Sequence, residues 1–242
     1  DTDATLRVRA YKDGLNASAV ASATYTFQQL PVNGLVGYWP FDEGSGTTAG
    51  DASGQGHVGA ISGAQWAAGH AGTALSFDGV NDQVTIPHAS DLSFTSAQSF
   101  TVSAWVNMPS LPGAWTGIVT KSRNASPWYG IWVSAGNQWV AGGAPNINGP
   151  LATTGWHHVA VVQDAGQRHL YVDGVLQGSR AAQNANGTGA LMIGAAGGVS
   201  EYFNGLIDEV RIYSVGLSQI EVQVLADAVV GNQTPVANAG ND

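Results

Sequence analysis

The most unusual chemistry in this sequence lies in one predicted β-strand, residues 203–213, where two acidic residues interrupt an alternation of apolar and polar side chains. A regular strand that directs Val210 and Ile212 toward a core would direct Asp208 to the same face. Burying a carboxylate becomes tolerable only when a hard cation or several backbone N–H groups bind it. The strand alone therefore raises the hypothesis of a metal site.

Paired carboxylates on one strand would allow a second chemistry, because a glycosidase needs two of them about 5–10 Å apart. No glutamate of this chain is followed two residues later by another acid; the four are Glu43, Glu201, Glu209 and Glu221. The adjacent pairs Asp42/Glu43 and Asp208/Glu209 would point to opposite faces of a strand. The sequence also lacks cysteine, a Gly-x-Ser-x-Gly motif and a lysine-containing phosphate loop. It therefore predicts a protein that is not an enzyme.

Aromatic and amide side chains concentrate in residues 115–148, which hold four of the eight tryptophans. Sugar-binding sites combine an aromatic face with amides and charges that bond hydroxyl groups. Trp128 and Trp132 share one face of a regular strand with Gly130 between them, which predicts a flat, open platform. The predicted ligand-binding residues are Lys121, Arg123, Trp128, Tyr129, Trp132, Trp139, Asn146 and Tyr202.

Two basic residues, Lys121 and Arg123, share a face of the preceding predicted strand. Their proximity in an acidic protein indicates a positive spot suited to a uronate or a sulfate. The same residues are equally typical of a surface strand that is kept soluble by charge. Both interpretations stay open at this point.

Composition sets limits on fold and partners. With 33 glycines and 10% charged residues, the 242-residue chain is typical of a turn-rich β-protein. A net charge of −9 would repel a phosphate backbone, so nucleic acid is not expected as a partner. No apolar run approaches the ~20 residues of a membrane span, and no membrane partner is expected. The chain begins without a signal-peptide pattern and reads as an internal piece of a longer protein.

Two short segments flank a long central region of many short predicted strands. Residues 5–11 and 23–27 alternate around a turn at 12–16 and predict a β-hairpin. Residues 6–14, with Ser18, Ala19 and 24–26, resemble the C-terminal half of the small module at the end of chitobiases and β-hexosaminidases. Residues 231–240 resemble the start of a polycystic kidney disease-type repeat. The expected organisation is a partial module at 1–32, a sandwich domain at 33–228 and a linker at 229–242.

The central region is predicted to be a two-sheet antiparallel sandwich, since its strands do not alternate with helices. One helix is predicted at 218–225, because Ser218 and Glu221 have the spacing of a capping box. Five stretches resemble the bacterial laminin G-like jelly rolls of the concanavalin A-like lectin and glucanase superfamily. They are residues 35–44, 51–56, 74–79, 156–160 with 170–174, and the strand of Asp208.

The laminin G-like resemblance implies a structural calcium ion that ties the N-terminal strand, the 51–56 loop and the C-terminal strand together. It implies Asp51 and Asp208 as carboxylate ligands, with Asp42 and the carbonyl of Gln55 as helpers. Calcium takes six to eight oxygen ligands, which an acidic, glycine-rich loop can provide. The alternative is that Asp51 is a turn former that bonds its own loop and Asp208 is a strand-end acid satisfied by hydrogen bonds.

The expected function is that of a non-catalytic carbohydrate-binding module in a secreted bacterial enzyme with several modules. Its expected partners are a polysaccharide or oligosaccharide and the catalytic module of the parent chain, which it would hold near substrate. Two alternatives stay open: a laminin G-type adhesion module that binds protein, and a structural spacer between catalytic modules. The glycan class does not follow from the sequence.

Overall fold

The structure is a computed structural model that describes residues 4–25, 29–197 and 201–228. Within these ranges the elements in chain order are β1 (Ala4–Val8), β2 (Ala21–Tyr25), β3 (Leu35–Trp39), β4 (Thr48–Ala49), β5 (Gly59–Ser62), β6 (Gln65–Ala68), β7 (Thr73–Asp78), β8 (Gln83–Ile86), a 3-10 turn (Ser90–Leu92), β9 (Phe100–Met108), β10 (Thr116–Lys121), β11 (Tyr129–Val133), β12 (Gln138–Gly142), β13 (Ile147–Leu151), β14 (Gly155–Asp164), β15 (Gln167–Val172), β16 (Val175–Ala181), β17 (Leu191–Ile193), β18 (Asn204–Tyr213) and α1 (Gln219–Asp227).

Two antiparallel sheets form the sandwich. The first sheet has the strand order β13-β12-β11-β10-β17-β8-β5-β4. The second has the order β16-β15-β14-β9-β18-β7-β6, and β3 also pairs with β18. Neighbouring strands are often far apart in sequence, as a jelly roll requires. The predicted all-β, two-sheet antiparallel sandwich is confirmed.

The main core lies between the two sheets and contains several large aromatic side chains. Trp39, Phe100, Tyr129 and Trp139 are all buried there. A second apolar cluster joins α1 to the outer face of the second sheet through residues such as Val222. The predicted capping box begins this helix, since the Ser218 side chain accepts from the Glu221 N–H and the Glu221 carboxylate accepts from the Ser218 N–H. The predicted helix start and its capping box both depend on hydrogen bonds between residues three positions apart.

The N-terminal hairpin is present, with β1 paired antiparallel to β2 from Ala4–Tyr25 to Val8–Ala21. Its connection is longer than predicted, because β1 ends at Val8 and β2 begins at Ala21. The apolar side chains of Leu6 and Val8 are more than half exposed. The predicted linker at 229–242 and Phe27 lie outside the described residues. Within the described part of the chain, no helix has the length and apolar character needed to cross a membrane.

Strand β18 contains a β-bulge at its acidic pair, and the bulge changes which face each residue occupies. The register opposite β9 shifts between Asp208 and Arg211, and Glu209 has a φ of +53°. Ile207 and Val210 therefore both face the core, although they are three positions apart. The predicted placement of Asp208 on the face of Val210 is wrong, because the bulge moves the phase of the alternation between them.

Glu209 and Arg211, two positions apart, form a buried ion pair on the outer face of the second sheet, and the bulge turns Asp208 to that face as well. The Arg211 Nη2 donates to the Glu209 carboxylate, and both side chains are at most 5% exposed. The Tyr38 hydroxyl donates to the same carboxylate at 3.0 and 3.1 Å, and the Arg211 guanidinium lies 4.1 Å from the Tyr38 ring centroid. A buried charge is tolerated only with such partners.

We expect Arg211→Met to lower the free energy of unfolding by about 3–5 kcal/mol, because it leaves the Glu209 carboxylate buried without its counter-charge. The double variant Glu209→Gln/Arg211→Met should recover a large part of that loss. Urea unfolding of the two variants and the wild-type protein measures both effects. A single variant as stable as wild type would contradict the structural role of the pair.

Candidate functional site

The outer face of the first sheet carries a surface built around Trp132 on β11. Tyr129 and Ile131 point into the core, whereas Trp132 points outward, as strand alternation requires. The Trp132 ring lies over Gly142 so closely that a Cβ there would be 2.0 Å from a ring carbon. A Cβ at Gly130 would be 3.0 Å from the same ring. Gly142 therefore gives space to the Trp132 ring, whereas Gly130 mainly allows the close approach of the Val119 carbonyl, at 2.0 Å from such a Cβ. Neither glycine leaves the open platform that the sequence predicts.

Three hydrogen bonds to one carboxylate hold this surface together. The Glu201 Oε2 accepts from the Trp132 Nε1 at 2.9 Å and from the Arg123 Nε at 3.3 Å. Its Oε1 accepts from the Arg123 Nη2 at 2.9 Å. The guanidinium of Arg123 also lies 5.4 Å from the Trp128 ring centroid. Glu201 thus joins the indole of β11 to the loop after β10, and Arg123 is a paired cation.

A groove opens on this surface between two tryptophans. Its centre is a cavity of about 70 Å³. We call it the tryptophan groove, and its lining residues are Trp115, Arg123, Trp128, Trp132, Val140, Gly142 and Asn146. Trp115 is 40% exposed and Trp128 is partly exposed, whereas Trp132 is 2% exposed. The groove therefore presents two tryptophans to solvent above a buried third.

Larger depressions continue the groove at both ends. A depression of about 330 Å³ shares Trp128 with it and includes Gln183 and Asn184. Another of about 290 Å³ shares Trp115 and includes Tyr202. Because each exposed tryptophan lines two neighbouring depressions, the three form one continuous surface. Asn146 contributes an amide whose carbonyl accepts from the Gly143 N–H, which leaves its NH2 group to donate.

Three residues expected on the ligand surface lie instead in the interior. Trp139 and Tyr129 belong to the core between the sheets, and the Tyr129 hydroxyl donates to the Leu92 carbonyl at 3.0 Å. Lys121 is also fully buried, and its Nζ donates to the carbonyls of Gly187 and Gly189 at 3.0 and 2.6 Å. A ligand on the groove reaches none of them, because strand alternation and the covering loop turn them inward.

The structure brings five of the predicted ligand residues to this surface and adds others. Arg123, Trp128, Trp132 and Asn146 line the groove, and Tyr202 lines one of its extensions. The prediction omitted Trp115, Glu201 and Gln183. Trp115 was marked by its place in the tryptophan-rich stretch and Glu201 by its position next to Tyr202 before the final strand, whereas nothing local marks Gln183. Their ligand-binding role stays a prediction.

The predicted calcium loop is ordered by hydrogen bonds to Asp51. The Asp51 Oδ1 accepts from the backbone N–H groups of Tyr38 and Ser53 at 3.0 and 2.9 Å, and Oδ2 accepts from that of His57 at 2.8 Å. These bonds hold the pKa of Asp51 below its usual value against the opposing effect of burial. The Gln55 side chain is exposed beside this loop. Asp51 thus acts at least as the turn former that the sequence also allowed.

The other two predicted carboxylate ligands share a different loop. The Asp208 Oδ2 accepts from the Ala71 N–H at 2.9 Å, and the Asp42 Oδ1 accepts from the Thr73 N–H at 3.0 Å. Burial raises the pKa of Asp208 to about 7. Among the described residues, no three His, Asp or Glu side chains gather as a metal site. A calcium ion would therefore take most of its ligands from backbone carbonyls and water.

Comparison with known proteins identifies the family. A laminin G-type family model, described as the concanavalin A-like lectin/glucanases superfamily, matches residues 78–223. The chain belongs to this superfamily, as its sequence resemblance predicts. No curated protein sequence matches it significantly.

Solved structures share the fold at low sequence identity. Domain 4 of AbnA, an extracellular arabinanase from Geobacillus stearothermophilus solved in complex with arabinotriose, is 23% identical with a TM-score of 0.64, over 79% of this chain and 98% of that one. The binding domain of Paraclostridial Mosquitocidal Protein 1 is 18% identical with a TM-score of 0.67, and the match covers 82% of this chain and 52% of that one. Trypanosoma rangeli sialidase in complex with sialic acid is 19% identical with a TM-score of 0.66, and the match covers 82% of this chain and 33% of that one.

We expect Lys121 to make stability rise with pH in a defined window. Burial lowers the pKa of Lys121 to about 8 from 10.5. Between these values the unfolded chain binds a proton that the folded chain has released, so raising the pH favours folding by at most about 1.4 kcal/mol per unit. Urea unfolding at pH 7.5 and 9.5 should show wild type gaining stability relative to Lys121→Met. Equal changes in both proteins would contradict the assignment.

For calcium, we expect 1 mM CaCl2 to raise the melting temperature of protein first treated with chelator, because an ion that binds only the folded state stabilises it by mass action. Asp51→Asn should abolish this shift, and Asp13→Asn in the N-terminal hairpin should not. Thermal unfolding with calcium, magnesium and chelator is the measurement. An unchanged melting temperature in calcium would contradict the calcium prediction.

Proposed function

We propose that this chain is a non-catalytic carbohydrate-binding module that binds glycan along the tryptophan groove. The observation that carries the proposal is the pair of solvent-accessible indoles, Trp115 and Trp128, which line one cavity together with the polar side chains of Arg123 and Asn146. Proteins place large aromatic side chains in solvent at binding sites more often than on ordinary surface. In a structure of the same fold, an arabinanase domain is bound to arabinotriose, which supports the same class of ligand here.

The chemistry of the groove suits a sugar. The apolar C–H faces of a pyranose or furanose ring stack on indoles, and its hydroxyl groups need donors and acceptors near the ring edge. Asn146 provides such a group in the groove, and Gln183, Asn184 and Asn204 provide others in its extensions. A linear chain laid along the three depressions would meet an indole at each boundary between them.

The arrangement of acids supports a binding role without catalysis. Glu201, the acid nearest the tryptophans, is bonded to Trp132 and Arg123 and is largely buried. A carboxylate so occupied is poorly placed to act as an acid or a nucleophile toward a glycosidic bond. Among the described residues that line the three depressions, Asp78 in the Tyr202 depression is the one acid.

The wider context follows from sequence resemblance and is part of the proposal. The hairpin resembles an accessory module of carbohydrate enzymes, and residues 231–240 resemble the start of a further repeat. We propose that the module belongs to a secreted bacterial enzyme and keeps its catalytic module close to an insoluble or polymeric substrate. Calcium at the Asp51 loop would stabilise the module without touching the glycan.

We expect Trp128→Ala and Trp115→Ala each to weaken glycan binding about 10-fold or more, which corresponds to 1.4 kcal/mol, because each removes a stacking surface. Affinity electrophoresis against plant, algal and animal polysaccharides identifies a ligand, and calorimetry with its oligosaccharides gives the affinities. Trp66→Ala is the matched control, since Trp66 is a partly exposed tryptophan on β6 of the second sheet.

The results separate the proposal from its alternatives. Binding that both groove variants lose and Trp66→Ala retains supports it. Binding that neither groove variant affects places the glycan elsewhere on the domain and contradicts it. If no polysaccharide retards the wild-type protein, the protein-adhesion and spacer interpretations take its place.

A further inference from the structure

We infer that the tryptophan groove selects uncharged glycans and rejects uronates, sulfated sugars and sialic acid. This inference rests on the proposed function and adds the class of its ligand. It comes from the position and the contacts of each lysine and arginine in the chain, since an anionic sugar needs an available cation.

Arg123 is the basic residue in the groove, and one of its two bidentate edges is already occupied by Glu201. A guanidinium grips a carboxylate or a sulfate through two parallel N–H groups. In Arg123 the Nε and Nη2 groups that form such an edge both donate to Glu201, at 3.3 and 2.9 Å. The pair adds no net charge to the groove. An anionic sugar on the Nε/Nη2 edge would have to displace Glu201 and leave its carboxylate largely buried and unpaired, and one on the Nη1/Nη2 edge would meet a guanidinium whose charge Glu201 already offsets.

The second expected cation is equally unavailable. Lys121 is fully buried on the inner side of the loop that contains Gly187 and Gly189, and its ammonium group donates to their carbonyls. The positive spot suggested by the spacing of Lys121 and Arg123 therefore does not form at the surface.

The six remaining basic residues do not line the groove or its extensions. Arg211 is paired with Glu209 in the second sheet. Arg168 lies behind Gly142, and its donors bond Gln163 and the carbonyls of Gly142 and Gln183 inside the protein. The others lie on the hairpin and on β16 of the second sheet; they are Arg7, Arg9, Lys12 and Arg180.

Negative charge reinforces this selectivity. The Tyr202 depression includes Asp78, and the whole chain has a net charge of −9. A polyanion approaching this surface meets like charge at long range and no free cation at contact. A neutral chain of pentoses or hexoses meets neither cost, and its affinity should depend little on salt.

The test compares neutral and anionic polysaccharides for wild type and two charge variants. Affinity electrophoresis uses debranched arabinan, linear galactan, xylan and hydroxyethyl cellulose against polygalacturonate, carboxymethyl cellulose and dextran sulfate, with sialyllactose tested by calorimetry. Each is measured at 20 and 500 mM NaCl. Glu201→Gln keeps a hydrogen-bond acceptor for Trp132 and frees the charge of Arg123. Glu43→Gln makes the same change in net charge at an exposed residue whose carboxylate accepts from the Gly50 N–H, away from the groove.

We expect wild type to bind a neutral glycan with less than a twofold change between the two salt concentrations. Glu201→Gln should bind polygalacturonate at least threefold more tightly than wild type does, and Glu43→Gln should not. Wild type binding an anionic glycan more tightly than every neutral one, with loss in high salt, would overturn the inference and leave the proposed function standing. Absence of all glycan binding would instead refute the proposed function, and with it the inference.

Discussion

From Ile207 to Tyr213 strand β18 is buried on both faces, so each charged side chain there must find its partner within the protein. Strand β18 pairs with β3, β7 and β9. Glu209 and Arg211 share the outer face beside Tyr38 of β3, and the bulge turns Asp208 to that face too, where the Ala71 N–H donates to it. A regular strand with Val210 in the core would have placed Asp208 against the core as well.

The loop before β7 depends on the same strand. Asp208 accepts a hydrogen bond from the Ala71 N–H, and a Cβ on Gly69 would lie 2.6 Å from the same carboxylate oxygen. The close approach of this loop therefore requires a residue without a side chain at position 69. Desolvation keeps the pKa of Asp208 near neutrality, so this acid exerts little charge on its surroundings in mildly acidic solution. The strand, its bulge and the loop above it form one polar unit on the outer face of the second sheet.

The tryptophan groove on the first sheet also depends on a largely buried carboxylate that must be paired within the protein, and here the pairing leaves the groove without net charge. Glu201 lies three residues before the start of β18, and its carbonyl accepts from the Gly117 N–H of β10 at 2.9 Å. That bond fixes the carboxylate where Trp132 and Arg123 can reach it. Pairing removes the net charge from the groove while preserving its shape, and Gly142 leaves room for the Trp132 ring. The outcome is a rigid aromatic floor with two accessible indoles, which favours stacking and hydrogen bonding over charge recognition.

The sequence by itself determined the features that depend on near neighbours. Alternating short strands defined an all-β sandwich, and the spacing of Ser218 and Glu221 defined a helix start. Each is a matter of backbone preference or of hydrogen bonds across a few residues. The tryptophan-rich stretch also contains the described residues that line the tryptophan groove. Only the tertiary structure decided which residues of that stretch face solvent. Alternation assigns Tyr129 and Trp132 to opposite faces without saying which face is covered, and the bulge at Glu209 changes the phase inside one strand. Arg123 meets Glu201 across 78 positions of sequence, and Lys121 is covered by a loop more than 60 positions away. Such contacts depend on how the two sheets stack, and no local preference specifies that.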